Sequence, residues 1–434
     1  MPNIFAAPAL AGLLALPAAS GSPALAPVDA LYPDLAAFYQ DLHRHPELST
    51  HEEKTSAKLA ERLRALGYEV TDHVGGFGVV AVMKNGKGPT LLLRADMDAL
   101  PVLEKTGLPY ASQVTTKDDA GNVVPVMHAC GHDVHVTSLA GAAALLAKAK
   151  PLWRGTLVLV GQPSEEGGPG SGGMLKDGFL TRFPKPDFAI ALHDDQRLPA
   201  GQVGYAAGFA WANSDSVDVT IYGRGGHGSA PQNTVDPIVV AARTILALQT
   251  IVSREVDPRE PAVVTVGTIQ GGTKRNIIPD EVKLQLTVRT YKPEVRARVL
   301  AAIQRIVKAE AEAAGAPKEP LVRVEDGFPA IYNDPELTRR IVGALRKSFG
   351  ATRVVELPAL MASEDFGEFG KAAGAPSLEL FLGATPAAKL EAAHGDWTKV
   401  PGLHSSEFAP DPEPTLKAGM AMLTLAALEL LGKR

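Results

Sequence analysis

Two kinds of strand are written into this sequence, and no single sheet environment satisfies both. Positions 78–83, 90–94, 156–161 and 188–192 are apolar almost throughout, the pattern of strands covered by helices on both faces. Further on, Val217, Val219 and Ile221, then Val282, Leu284, Leu286 and Val288, alternate strictly with Asp218, Thr220, Lys283, Gln285, Thr287 and Arg289. Strict alternation leaves one face wet, as in an antiparallel sheet. The chain therefore reads as an α/β domain with a mostly parallel, helix-covered sheet, over residues 29–205 and 321–434. A smaller α+β domain with an antiparallel sheet, residues 206–320, interrupts it. Leu59, Leu63 and Leu66 recur at helical spacing before Gly67, and further helices are expected over 138–149, 236–251, 293–314 and 415–431. The stretch Lys84-Asn85-Gly86-Lys87 predicts a hairpin turn joining the runs at 78–83 and 90–94.

Composition removes several classes of function. At 434 residues the chain has room for two or three domains of roughly 150 residues. Hydrophobic residues are 45% and charged residues 21%, which excludes a wholly disordered chain. No uninterrupted apolar run reaches the ~18 residues of a membrane span, so no membrane partner is expected. Lysine plus arginine is 43 against 48 acidic residues, a net charge of −5, and nucleic acid is not expected either. The first 40 residues contain no lysine or arginine. Residues 1–28 read as a signal peptide or disordered tail, with a short apolar stretch at 9–16 and the small-x-small pattern Ala24-Leu25-Ala26. Periplasmic or secreted placement follows from the first reading, cytoplasmic from the second.

Four groups of candidate metal ligands stand just past apolar runs or in turns, where side chains converge at the carboxyl edge of a sheet. Asp96 and Asp98 follow Leu91–Leu93. Cys130-Gly131-His132-Asp133 lies in a loop before the small-residue helix. Glu165-Glu166 follows the run at 156–160, and His193 follows 189–192, with His404 arriving much later. Taken singly, each has a bland explanation: the lone cysteine as a small buried apolar residue, a histidine as a satisfied core group, the glutamates as a solvated pair. The glycine-rich stretch 167–173 lacks the Gly-Lys-Ser/Thr ending of a phosphate loop. Together, thiolate, imidazole and carboxylate make the donor set of a transition-metal site.

The motifs in order carry a resemblance. Asp41-Leu42-His43-Arg44-His45-Pro46-Glu47, Arg94-Ala95-Asp96-Met97-Asp98-Ala99-Leu100-Pro101 and His128-Ala129-Cys130-Gly131-His132-Asp133 come first. Gln162-Pro163-Ser164-Glu165-Glu166-Gly167-Gly168, Gly225-Gly226-His227-Gly228 and Arg275-Asn276-Ile277-Ile278-Pro279-Asp280 follow. From about residue 35 to its end the chain resembles the co-catalytic metallopeptidase family of aminoacylases, hippurate hydrolases and auxin-conjugate amidohydrolases. The resemblance implies Cys130, His132, Glu166, His193 and His404 as ligands of two divalent metal ions per subunit, zinc or manganese, with cobalt or nickel as alternatives. It implies Glu165 as general base, Asp98 as the residue holding a ligand histidine, and an inserted lid that dimerises. The lid would supply His227 to polarise the scissile carbonyl, and Asn276 and Arg289 to bind the substrate carboxylate. Gln232 stands where a histidine is common in this branch, and Asp194-Asp195 where an apolar residue is frequent after the ligand.

The reading that results is a metal-dependent amidohydrolase acting on N-acyl amino acids of hippurate or auxin-conjugate type. Its partners are the small substrate, or a short peptide, and a second copy of the chain. A metallo-carboxypeptidase or dipeptidase of the same family is the alternative. A non-catalytic metal- or ligand-binding protein on the same fold is a third, opposed by the presence of Glu165 beside every expected ligand.

Overall fold

The computed structural model describes residues 22–433, which fall into two compact units. Of the leader or tail expected over residues 1–28, positions 1–21 lie outside the described residues. Ala24, Leu25 and Val28, within the expected tail, are buried, and Leu25 and Val28 belong to the core of the first unit.

The first unit begins with helix α1 (Val28–Arg44), which buries Leu35, Phe38, Tyr39 and Leu42 along one stripe, and helix α2 (Glu53–Ala65), which buries Leu59, Ala60 and Leu63. Strands β1 (Glu69–Val74), β2 (Gly78–Asn85) and β3 (Thr90–Asp96) follow. The chain does reverse at Gly86, whose φ is +81°, but β2 and β3 are not a hairpin. Strand β4 (Gly155–Gln162) lies between them, pairing Val80 with Val160 on one side and Leu92 with Val158 on the other. A turn signature records only local reversal; strands that are apolar on both faces take neighbours that keep both faces covered. Helix α3 (His132–Lys148) starts six residues earlier than its apolar spacing indicates. Its first turn is polar but buried, and Gly131, at φ +77°, forms the start. His132 and Asp133 are therefore helical, where a loop was expected. Strands β5 (Phe188–Pro199) and β6 (Val203–Tyr205) complete this stretch.

The second unit spans Phe209–Ile331 with the segment Ala359–Glu364. Strands β7 (Asn213–Tyr222), β8 (Gly226–His227), β9 (Ala262–Gln270), β10 (Ile277–Ile278), β11 (Glu281–Thr290) and β12 (Leu321–Asp326) occur in it. The four long ones form an antiparallel sheet in the order β9-β11-β7-β12, and β8 pairs with β10 separately. β7 is buried at alternate positions, Val217, Val219 and Ile221 among them, with helices α4 (Pro237–Thr250) and α5 (Pro293–Ala313) contributing to the same core. β12 lies past the expected boundary at 320, yet pairs with β7 from Thr220–Leu321 onward. Its Val322 and Val324 pack on the second unit's core, which is why the insertion extends to Ile331.

The chain returns to the first unit with helix α6 (Pro335–Phe349), strands β13 (Val354–Glu356) and β14 (Ser377–Thr385), and helix α7 (Pro412–Leu431). The completed sheet runs β1-β2-β4-β3-β5-β14-β6-β13, with β4, β3, β5 and β14 mutually parallel at its centre. α3 and α7 are buried over most of their surfaces, as apolar helices without a polar stripe must be. They approach so closely that a Cβ at Gly419 would stand 2.2 Å from Ser138 Oγ.

Candidate metal centre

Strand ends place the donors. β3 delivers Asp96 and, two residues on, Asp98; β4 ends at Gln162 and leads into Glu165 and Glu166. β3 and β5 stay paired only to Arg94–Ala191, while β5 continues beside β14 to Pro199. The donors therefore gather at the carboxyl ends of parallel strands, the position where open α/β sheets place their ligands. His193 lies inside β5 rather than after it. His404 reaches the site in the left-handed region (φ +65°), its backbone N–H donating to Ala129 O at 2.8 Å.

The five expected ligands form two groups that share one atom. Cys130, His132 and His193 make one set, and Cys130, Glu166 and His404 the other, with donor atoms in each within 4.8 Å of one another. Cys130 Sγ belongs to both. Glu165 joins His132 and Glu166 in a further set on the same scale. Neighbouring groups turn the imidazoles for the task. His193 Nδ1 donates to the carbonyl of Asp194 at 2.8 Å, which leaves Nε2 facing Cys130 Sγ at 3.7 Å. His132 Nδ1 lies 3.3 Å from Asp98 Oδ1, so its Nε2 is the end turned to the cluster. Orientation of a ligand histidine through its second nitrogen is the usual arrangement in metal sites. Asp98 is the carboxylate that faces His132 Nδ1.

The charges also fit cations. Asp96, Asp98, Glu165 and Asp194 are all buried, and Glu166 is partly so. Burial and the carboxylates of Glu166, Glu165 and Asp194 push the Cys130 thiol well above its ordinary range. Burial works against a charge on His132, but Asp96, Asp98 and Glu166 hold its pKa well above the usual histidine value. His132 Nε2 and Glu166 Oε1 are buried atoms that make no hydrogen bond. Buried carboxylates in excess of buried cations, with unsatisfied ligand atoms beside them, are what a bound cation resolves, and a metal reverses the thiol's preference by binding the thiolate. The residues present suit two divalent ions. Gly131 is required here, because a Cβ would meet Asp194 Oδ2 at 2.1 Å.

Sequence reasoning missed the groups that hold this cluster. Arg94 is wholly buried, and donates to Asp96 at 2.6 Å, Gln162 at 2.8 Å and Asp365 at 2.9 Å. A lone arginine ending an apolar strand was the available signal, since such a charge must find partners. His135, one turn beyond His132, bonds Asp96 through Nδ1 at 2.5 Å and accepts from the Asp194 N–H at 2.9 Å. Its i, i+3 spacing from His132 was legible. Asp365 comes from a distant segment with no local signal.

In the second unit, His227 is exposed, its Nδ1 accepting from Ser229 N at 3.1 Å. Asn276 precedes Ile277, the residue paired with His227, and its carbonyl accepts from Gly228 N at 2.9 Å. The ribbon β8–β10 thus brings His227 and Asn276 side by side. Arg289 lies apart on β11, half-buried, donating to Ser363 Oγ at 2.5 Å; burial lowers its pKa.

The model of peptidase family M20/M25/M40 matches residues 92–404. Thermostable carboxypeptidase 1 of Saccharolobus solfataricus is 37% identical over 397 residues, covering 90% of this chain and 94% of that protein. Hippurate hydrolase of Campylobacter jejuni is 39% identical over 335 residues, covering 76% and 82%. A solved structure of a dinuclear metal-binding M20-family peptidase from Bacillus subtilis aligns with a TM-score of 0.74 and 28% identity, over 93% of this chain and 99% of that one.

Proposed function

The chain belongs to peptidase family M20/M25/M40, and on that premise we propose that it hydrolyses the amide bond of N-acyl amino acids with two divalent metal ions. The observation that carries the reading is Cys130 shared between two donor sets, with Glu165 beside them. The ions, when bound, supply Lewis-acid activation of water and of the carbonyl. Cys130, His132 and His193 would hold one and Cys130, Glu166 and His404 the other, with zinc or manganese as the occupant. Glu165 takes the water's proton and returns it to the leaving amine, work worth roughly 10²–10⁴ in rate. His227 donates to the carbonyl oxygen, and Asn276 and Arg289 bind the substrate carboxylate.

Carboxypeptidase action is the second reading, favoured by the long match to a thermostable carboxypeptidase. A peptide ending in a free carboxylate presents the same bond beside the same anion, so one site serves both. A homodimer formed through the second unit is supported by β9, which pairs only with β11 among the described residues, and by the exposed Val239, Leu246 and Ile269. Open strand edges and apolar patches are pairing surfaces.

The test is a hydrolysis screen of N-acyl amino acids and short peptides, using metal-stripped protein reloaded with each ion in turn. Glu165→Gln is expected to keep its metal and lose about 10²-fold or more in kcat, whereas Cys130→Ala loses metal and activity together. A Glu165→Gln enzyme slowed only a few-fold would remove Glu165 from the proton-carrying role.

A further inference from the structure

Three residues that are not glycine adopt the left-handed region around the centre: His404, Thr50 (φ +68°) and Ser164 (φ +59°). Such conformations cost energy and persist only where surrounding contacts enforce them. Thr50 is β-branched, which makes its case the more unusual. Both Thr50 and Ser164 donate their backbone N–H to one oxygen, Glu52 Oε1, at 3.1 and 2.7 Å. Thr50 N also lies 2.9 Å from Ser164 Oγ, which in turn donates to Glu52 Oε1 at 3.2 Å. Glu52 is itself anchored, being the N-cap residue of α2 and fully buried.

We infer that Glu52 is a positioning residue for the catalytic base, pinning the Glu165 loop through Ser164 to the turn at Thr50. The inference rests on the assignment of Glu165 as base. On the far side of Glu165 a second carboxylate does matching work: Asp98 Oδ2 accepts from Ser49 Oγ at 2.6 Å and from the Glu166 N–H at 2.8 Å. Glu165 is thus suspended between two latches, Glu52 on Ser164 and Asp98 on Glu166, both reaching the same short segment, Ser49 and Thr50. Strain enforced beside a reacting group, with hydrogen bonds holding both of its neighbours, is a means of preorganising it. The second oxygen of Glu52, Oε2, is buried and makes no hydrogen bond. Burial, followed by the charge of Asp98, pushes the Glu52 carboxyl up to about 7. A glutamine keeps the accepting oxygen and imitates the protonated form.

The experiment compares metal-loaded wild type, Glu52→Ala, Glu52→Gln and Glu165→Gln. It reads kcat, KM and metal content on an N-acyl amino acid, and amide hydrogen exchange over residues 163–168. Glu52→Ala is expected to lower kcat about 10²-fold, the scale of a misplacement near 1 Å, with KM and metal content unchanged. Exchange should rise over 163–168 while β4 stays protected, and Glu52→Gln should recover most of kcat. Wild-type kcat in Glu52→Ala overturns the inference. So does metal loss in step with activity, exchange that rises equally through β4, or a glutamine variant no better than alanine. Should Glu52→Ala not fold, Ser164→Gly, which drops the Oγ link and relaxes the left-handed position, must show the same kcat loss and local exchange; wild-type values there overturn the inference. If Glu165→Gln is inactive while Glu52→Ala is active, only this inference falls; if Glu165→Gln turns over normally, the base assignment falls and takes it along.

Discussion

His43 is held between two carboxylates, Nδ1 at 2.6 Å from Asp133 and Nε2 at 3.2 Å from Glu104, with all three side chains buried. Burial, the largest influence, pulls its pKa down, but Asp133 and Glu104 outweigh it and raise the value to about 9. The ordinary value is near 6.5, so the folded state binds a proton more tightly than the unfolded one. The stabilisation is fully present below about pH 6.5 and fades as pH rises through about 9. The wild type should therefore lose Tm between pH 7 and 10. His43→Gln should start lower and have a flatter profile across that window. Parallel slopes in a thermal-melt series would show that His43 is uncharged in the folded protein. The position was visible in the sequence as part of the first motif, but its partners, 61 and 90 residues away, were not.

At the scale of elements, the contact between α3 and α7 makes the sharpest demand. Both helices are rich in small residues, which the sequence displays openly, yet the need for glycine at one point emerges only from their crossing. A side chain at Gly419 would meet Ser138 and come within 2.9 Å of Leu382. Gly419→Leu is expected to destabilise the fold by about 1–3 kcal/mol or more through overpacking, lowering the urea midpoint; an unchanged midpoint would mean that the helices can separate without loss. The same scale separates what periodicity reads from what it cannot. Strands β3, β4 and β5 were legible as continuous apolar runs, because burial on both faces leaves no polar positions. Their lateral order was not legible, since β4 enters between β2 and β3 from far along the chain. The start of α3 was missed because His132 and Asp133 look like surface residues, and only their burial in the site makes them helical members of the core.

For the whole molecule, the proposed dimer gives a test that no single chain can pass. If His227 acts on the partner's metal centre, mixing two inactive variants, His227→Ala and Glu165→Gln, creates heterodimers with one complete site. Activity should return to a fraction of wild type once subunits exchange; demonstrated heterodimers without recovery would place His227 within its own chain or outside the reaction. The division into an interrupted α/β unit and an inserted antiparallel unit followed from the sequence itself, because the spacing of apolar residues reports how many faces of a strand are covered. The donor types followed as well, since thiol, imidazole and carboxylate chemistry belongs to the residue wherever it is placed. Tertiary structure alone decided that Cys130 would stand in two donor sets, that Arg94 and Asp365 would brace Asp96 and Gln162, and that Glu52 would meet Ser164 across 112 residues. Those contacts join segments with no local relation, and they exist only where the strands of one sheet end together.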